Sequence, residues 1–345
     1  MKSRIFFFDV VRVVACIMVI IMHAPMPSKK IIGVFTWGLT YFSMPCIGLF
    51  FTVSGALLLP VKCSDENGLT FIKRRLNKFV FPVLIWSIVY LFVQGVFTSG
   101  DVSAIIRSLC SIPFQRQEGV LWFMYTLIGI YIIAPVISPW LAHADKHTIQ
   151  TYLGIWGISL LFPYLKPFVD IEESVYGMYY YTSGFVGYFI LGYYLRRFGI
   201  NLTLKYSLGG GIIMFIFPII FKLFIDGKGL NFGDTFWYLS IDSPILVVLW
   251  WNILKHISKY VERNNTIKNA CMLLSDYSFG IYLCHILIMR YGLWHVPQIV
   301  EMTNYVIQTF VVIVLSLLGS CIFCYIIGYL PIGRYVIGYC RKKRN

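Results

Sequence analysis

The chain has 345 residues, is 58% hydrophobic and only 13% charged, and has a mean hydropathy of +0.74. Soluble domains carry about 25% charged residues, so the composition excludes a water-soluble globule and calls for a bilayer as solvent. The net charge of +14 does not require a nucleic-acid partner, because the cations are dispersed among the segments between apolar runs.

Those runs fall at 5–24, 35–59, 79–98, 120–141, 150–168, 180–195, 206–225, 236–254, 273–293 and 304–329. Most reach the roughly 20 residues needed to cross a bilayer, and 180–195 is the shortest. The expected fold class is therefore all-α: a polytopic integral membrane protein of about ten transmembrane helices. It is expected to form a single membrane-embedded domain over 1–345, multi-pass in the cell (inner) membrane. The first run follows Lys2 and Arg4, but it is too long for a signal peptide and no A-x-A-like site follows it. It is expected to stay as an anchor.

With the N-terminus inside, twenty of the 29 Lys and Arg residues fall in cytoplasmic segments and eight on the far side, and Arg12 lies within a helix. That bias is the one cytoplasmic loops show, so both termini are expected to be cytoplasmic. Most of the positive charge is then explained by topology and anionic headgroups.

The first run carries three polar residues that a bilayer disfavours: Asp9, Arg12 and His23. A charge at the centre of a spanning helix costs about 2.5–3.5 kcal/mol on insertion scales. Arg12 and His23 are eleven residues apart; at 100° per residue that is within about 20° of three full turns and about 16 Å of rise. They share a stripe, with the cation toward the inside and the imidazole toward the outer mouth, just before Pro25 and Pro27. Asp9, three residues before Arg12, is within pairing reach of it. A structural Asp9–Arg12 pair and an interfacial His23 fit the same spacing.

Farther along, Ser54 and Gly55 suit close helix packing or a cavity wall. Arg74, Arg75 and Lys78 form a basic stretch before the third run, fit either to anchor topology or to bind phosphates. Glu118, ahead of the fourth run, is expected to be solvated, with contact to a substrate as the alternative. Tyr282 and His285 are three apart and share a helix face, near mid-bilayer if their helix starts near 273. The nine cysteines show no secreted framework, and Cys321-x-x-Cys324 sits within an apolar run, where packing is expected rather than zinc or redox chemistry. No metal site is expected.

Several segments together resemble a known family. "FFFDVVRVVACIMVIIMH" is similar to the opening helix of membrane-bound acyltransferase family 3, with an arginine, ten residues and a histidine. "MPCIGLFFTVSGALLL", "FIKRRLNKFVFPVLIW", "LWFMYTLIGIYIIAPVI" and "LSDYSFGIYLCHILI" follow in the family's order. One departure is that Lys78 stands where the family often has a second arginine, which removes a bidentate fork.

The resemblance implies a transferase moving an acyl group, usually acetyl, from cytoplasmic acyl-CoA to a hydroxyl of a cell-surface or lipid-linked glycan. Acetyl-CoA would be a donor substrate, with no permanently bound cofactor. In that scheme His23 is the general base, although a transient acyl-His is also open, and Arg12, oriented by Asp9, holds the donor or an oxyanion. Arg74, Arg75 and Lys78 would meet the coenzyme A phosphates, with His285, Tyr282 and Ser54 as further site candidates. A secondary transporter or exporter is the alternative, since it too uses intramembrane charges; the absence of an internal repeat speaks against it.

Overall fold

The computed structural model describes residues 4–26, 33–61, 68–164, 184–200, 202–225 and 237–340. Pro27, Lys29, Lys30, Lys62, Lys166, Lys228 and the terminal cations Lys2 and Arg341 to Arg344 lie outside them. Every long element is a helix: α1 (Phe6–His23), α2 (Gly33–Ser43), α3 (Pro45–Leu58), α4 (Gly68–Val93), α5 (Val102–Ser111) and α6 (Trp122–His143) come first. They are followed by α7 (Lys146–Ser159), α8 (Val186–Arg197), α9 (Leu204–Ile225), α10 (Asp242–Val261), α11 (Asn265–Arg290) and α12 (Tyr305–Tyr329).

Among the described residues, seven spans are long and apolar enough to cross a membrane: α1, α2 with α3, α4, α6, α9, α11 and α12. The chain is thus a multi-pass, all-α membrane protein. Three of the about ten expected crossings fall on other helices. Helices α7 and α8 have only 14 and 12 residues, and the expected runs 150–168 and 180–195 extend into residues outside the description. Helix α10 carries Asp242, Lys255, His256 and Lys259 in its 20 residues.

Boundaries differ from expectation where local chemistry intervenes. The second run breaks at Met44, because Pro45 suits the first turn of a new helix. Helix α4 begins at Gly68 rather than near 79, so the basic stretch is itself helical. Helix α11 begins at Asn265 rather than 273 and ends at Arg290, five residues past His285. Helix α5 is an additional element, started by Asp101, whose side chain accepts the Ala104 N–H at 3.0 Å. That bond holds the Asp101 carboxyl below the ordinary carboxylate range.

The lipid-facing surface is visible in side-chain exposure. On α12, Ile307, Phe310, Val314, Leu318 and Ile322 are all exposed, at steps of three or four residues. A soluble monomer rarely leaves such a continuous apolar stripe uncovered.

The chain divides into two compact units, residues 1–22, 32–62 and 134–272, and residues 23–31, 63–133 and 273–345. In the first, α3 and α8 meet backbone to backbone. A Cβ on Gly55 would overlap the Phe189 carbonyl, and one on Gly192 would overlap the Thr52 carbonyl. This is the small-residue packing that membrane helices use in place of a hydrophobic drive. Around it, the Tyr188 hydroxyl donates to the Tyr238 carbonyl at 2.5 Å, and Asn252 donates to Ser207 at 2.7 Å. In the second unit, Tyr90 of α4 donates to the Leu283 carbonyl at 2.8 Å, and Trp86 donates to the Val336 carbonyl at 2.9 Å. Cys324 of the C-x-x-C packs against the bare backbone of Gly280.

Candidate functional site

Helix α1 carries Arg12 and His23 without interruption. Its first turn contains Asp9, a favourable place for a carboxylate, and that carboxylate is buried. Arg4, just before the helix, grips it with two bonds at 2.7 and 2.9 Å and donates a third to the Met272 carbonyl at 2.9 Å. Arg4 precedes the helix and so has no helical register that would mark it in the sequence as a partner of Asp9. His23 is the last residue of α1.

In the second unit His23 meets His285. Their ring centroids are 5.5 Å apart with the planes tilted by 38°. His285 is fully buried. Its Nδ1 lies 2.6 Å from the Tyr282 carbonyl oxygen; a carbonyl only accepts, so Nδ1 carries the hydrogen and Nε2 of the neutral ring is bare. That Nε2 is buried with no hydrogen-bond partner among the described residues. The Tyr282 ring, 5.7 Å away, packs against His285, and the Tyr282 hydroxyl donates to the Val120 carbonyl. Two histidines from opposite ends of the chain are thus brought together near the C-terminal ends of their helices. The expected pairing of His285 with its own face is extended by a contact that the sequence does not signal.

Five residues beyond His285 a polar network begins. The Arg290 guanidinium lies 3.6 Å from the Glu118 carboxylate, and Tyr291 donates to the same carboxylate at 3.0 Å. Gln94, the residue after the end of α4, donates to it at 3.3 Å. The Glu118 side chain is 9% exposed, so the expectation of a solvated residue is corrected: it is a shielded carboxylate paired with a cation. Arg290 also lies over the Trp294 ring at 5.6 Å. The buried Nε of Arg290 and the buried Nε1 of Trp294 have no hydrogen-bond partner among the described residues.

The remaining candidates lie elsewhere. Arg74, Arg75 and Lys78 follow one another along the first turns of α4; Arg74 and Lys78 are exposed. Arg75 lies over Phe71 at 5.5 Å and Lys78 over Phe79 at 5.9 Å. Ser54 is half-buried on α3 in the first unit, next to the Gly55 contact. Among the described residues no three His, Cys, Asp or Glu side chains gather as a metal site.

Comparison with known proteins adds one match. The family model described as "Acyltransferase domain" (acyltransferase 3) matches residues 5–328, nearly the whole chain. Neither the curated proteins nor the solved structures give a match. The match runs from the first helix almost to the end of α12, and the chain belongs to this family of membrane acyltransferases.

Proposed function

We propose that the protein is an O-acyltransferase that moves an acyl group, in the first instance acetyl, from cytoplasmic acyl-CoA to a hydroxyl of a surface or lipid-linked glycan. The family match supports acyl transfer from an acyl-CoA donor. The observation that carries the finer reading is the meeting of His23 with His285 at the end of a helix that also carries Arg12.

An alcohol is a poor nucleophile until a base takes its proton. His23 takes the hydroxyl proton as the alcohol oxygen attacks the thioester carbonyl. The carbon–oxygen bond forms, the carbon–sulfur bond breaks, and the departing coenzyme A thiolate receives, directly or through water, the proton that His23 took, which leaves His23 neutral again. Arg12, about 16 Å back along the same helix, attends the donor. Arg74, Arg75 and Lys78 hold its phosphates at the cytoplasmic end of α4, as charge-assisted contacts do. The network of Glu118, Arg290, Tyr291 and Gln94 combines donors, acceptors and aromatic faces, which suits the hydroxyls of a sugar. Within this reading the whole chain works as a single transferase domain, with about ten crossings and both termini in the cytoplasm.

The test is transfer of labelled acetyl from acetyl-CoA by the purified protein in vesicles supplied with glycan acceptors. Alkali-labile label on the glycan is the expected result. Absence of transfer with every acceptor, together with unchanged glycan O-acetylation in cells lacking the gene, would refute the reading.

A further inference from the structure

We infer that His285 is a positioning residue for His23: its Nε2 accepts the N–H of the His23 ring, directly or through one water, and so sets which His23 nitrogen is left for the substrate hydroxyl. The inference rests on the assignment of His23 as the base.

Three observations carry it. First, the tautomer of His285 is set from below. Its Nδ1 hydrogen is committed to the Tyr282 carbonyl at 2.6 Å, which leaves Nε2 as an acceptor only. Second, that acceptor is buried in a fully shielded residue and has no protein partner among the described residues. A buried acceptor left unsatisfied forfeits its hydration without compensation, so the position suits a donor. Third, the neighbouring ring that can donate is His23, at 5.5 Å between centroids. An in-line N–H···N bond of about 3 Å puts two imidazole centroids a little over 5 Å apart, so a small rotation of His23 or one water completes the contact.

The chemistry follows from proton bookkeeping. A neutral imidazole has one N–H and one bare nitrogen. If the His23 N–H points at His285, the bare nitrogen is the one free to take the hydroxyl proton. After the transfer His23 carries two N–H groups, one of them still bonded to His285 Nε2. His285 neither gains nor loses a proton. Its part is that of the buried carboxylate in a serine-hydrolase triad, which holds the base in the right tautomer, with a neutral acceptor in place of an anion.

The test has two arms. In the first, ¹⁵N-histidine NMR of the wild-type protein reads tautomers without any turnover. His285 is expected to be protonated at Nδ1 and bare at Nε2, and His23 to populate a single tautomer. Protonated Nε2 on His285 would overturn the proposal whatever the enzyme's activity. In the second, His285→Phe removes the acceptor and His285→Gln restores one near the Nε2 position. His285→Phe should lower kcat about 100-fold or more, with both KM values within about twofold, since a wrong tautomer in the triad costs up to about 10⁴. His285→Gln should recover to within about tenfold of wild type. Equal loss in both variants, or full kcat in His285→Phe while His23→Ala is dead, would refute the positioning role and leave the base intact. Activity retained in His23→Ala would instead refute the base. If His285→Phe does not fold, the NMR arm and the Gln variant still decide.

Discussion

The imidazoles of His23 and His285 lie 5.5 Å apart, one closing α1 and the other five residues from the end of α11. Intramembrane histidines are seldom retained without a polar task. The pair, with the Arg290–Glu118 ion pair beyond it, is where the acyl acceptor is expected to be handled.

The Glu118 network should govern the acceptor and not the donor. Glu118→Ala removes the acceptor of Tyr291 and Gln94 and leaves Arg290 without its carboxylate. Hydrogen bonds to a charged group contribute about 1.5–3 kcal/mol. The variant should therefore raise acceptor KM by about tenfold or more and lower the melting temperature in detergent, with donor KM unchanged. Steady-state kinetics varying each substrate in turn, with thermal unfolding, check this. A shift in donor KM alone would contradict it.

The α3–α8 contact predicts a folding defect rather than a catalytic one. Gly55→Val and Gly192→Val drive a side chain into a backbone carbonyl that cannot move aside. Overpacking typically costs about 1–3 kcal/mol, and a rigid backbone target puts these two at or beyond the upper end. Membrane abundance and monodispersity by fluorescence-detected gel filtration should fall sharply for both. Gly129→Ala on α6, where an added Cβ meets nothing within 4 Å, should behave as wild type.

The basic turns of α4 and the arginine of α1 should differ in kinetic signature. Replacing Arg74, Arg75 and Lys78 together by Ala removes ground-state binding of phosphates, so donor KM rises while kcat changes little. Salt should produce the same effect, because exposed charges are screened within about 8–10 Å. Arg12→Ala should lower kcat. A triple variant with unchanged donor KM would reduce the cluster to a topology anchor.

Topology is open to a direct check. Twenty of the 29 basic residues lie on the side assigned to the cytoplasm, so a reporter fused after Asn345 should report the cytoplasm. An exported reporter would mean an odd number of crossings and would remove the donor-side role of Arg74, Arg75 and Lys78.

What the sequence made legible was local. Helix α1 runs almost over the expected range, because an apolar run ended by Ala24-Pro25 has few other options. The break between α2 and α3 has a local signal in Pro45, overlooked inside an otherwise continuous apolar run. The start of α4 was hidden for a different reason: hydropathy marks where a helix becomes apolar, and charged residues such as Arg74 and Arg75 are good helix formers that extend it unseen. The contacts that build the candidate site are long-range. Glu118 and Tyr291 are 173 positions apart, and no periodicity links them. His23 and His285 were each legible as intramembrane polar residues, yet their meeting depends on which helix ends are neighbours. A single sequence does not encode that visibly.

The measurement that bears most directly on the account is acetyl transfer from labelled acetyl-CoA to glycan by purified His23→Ala, compared with wild type at equal folded protein. Loss of a positioned base typically costs about 10²–10⁴-fold. The account predicts a fall in kcat of at least about 100-fold, with insertion, abundance and donor binding unchanged. Activity within a few fold of wild type would contradict it.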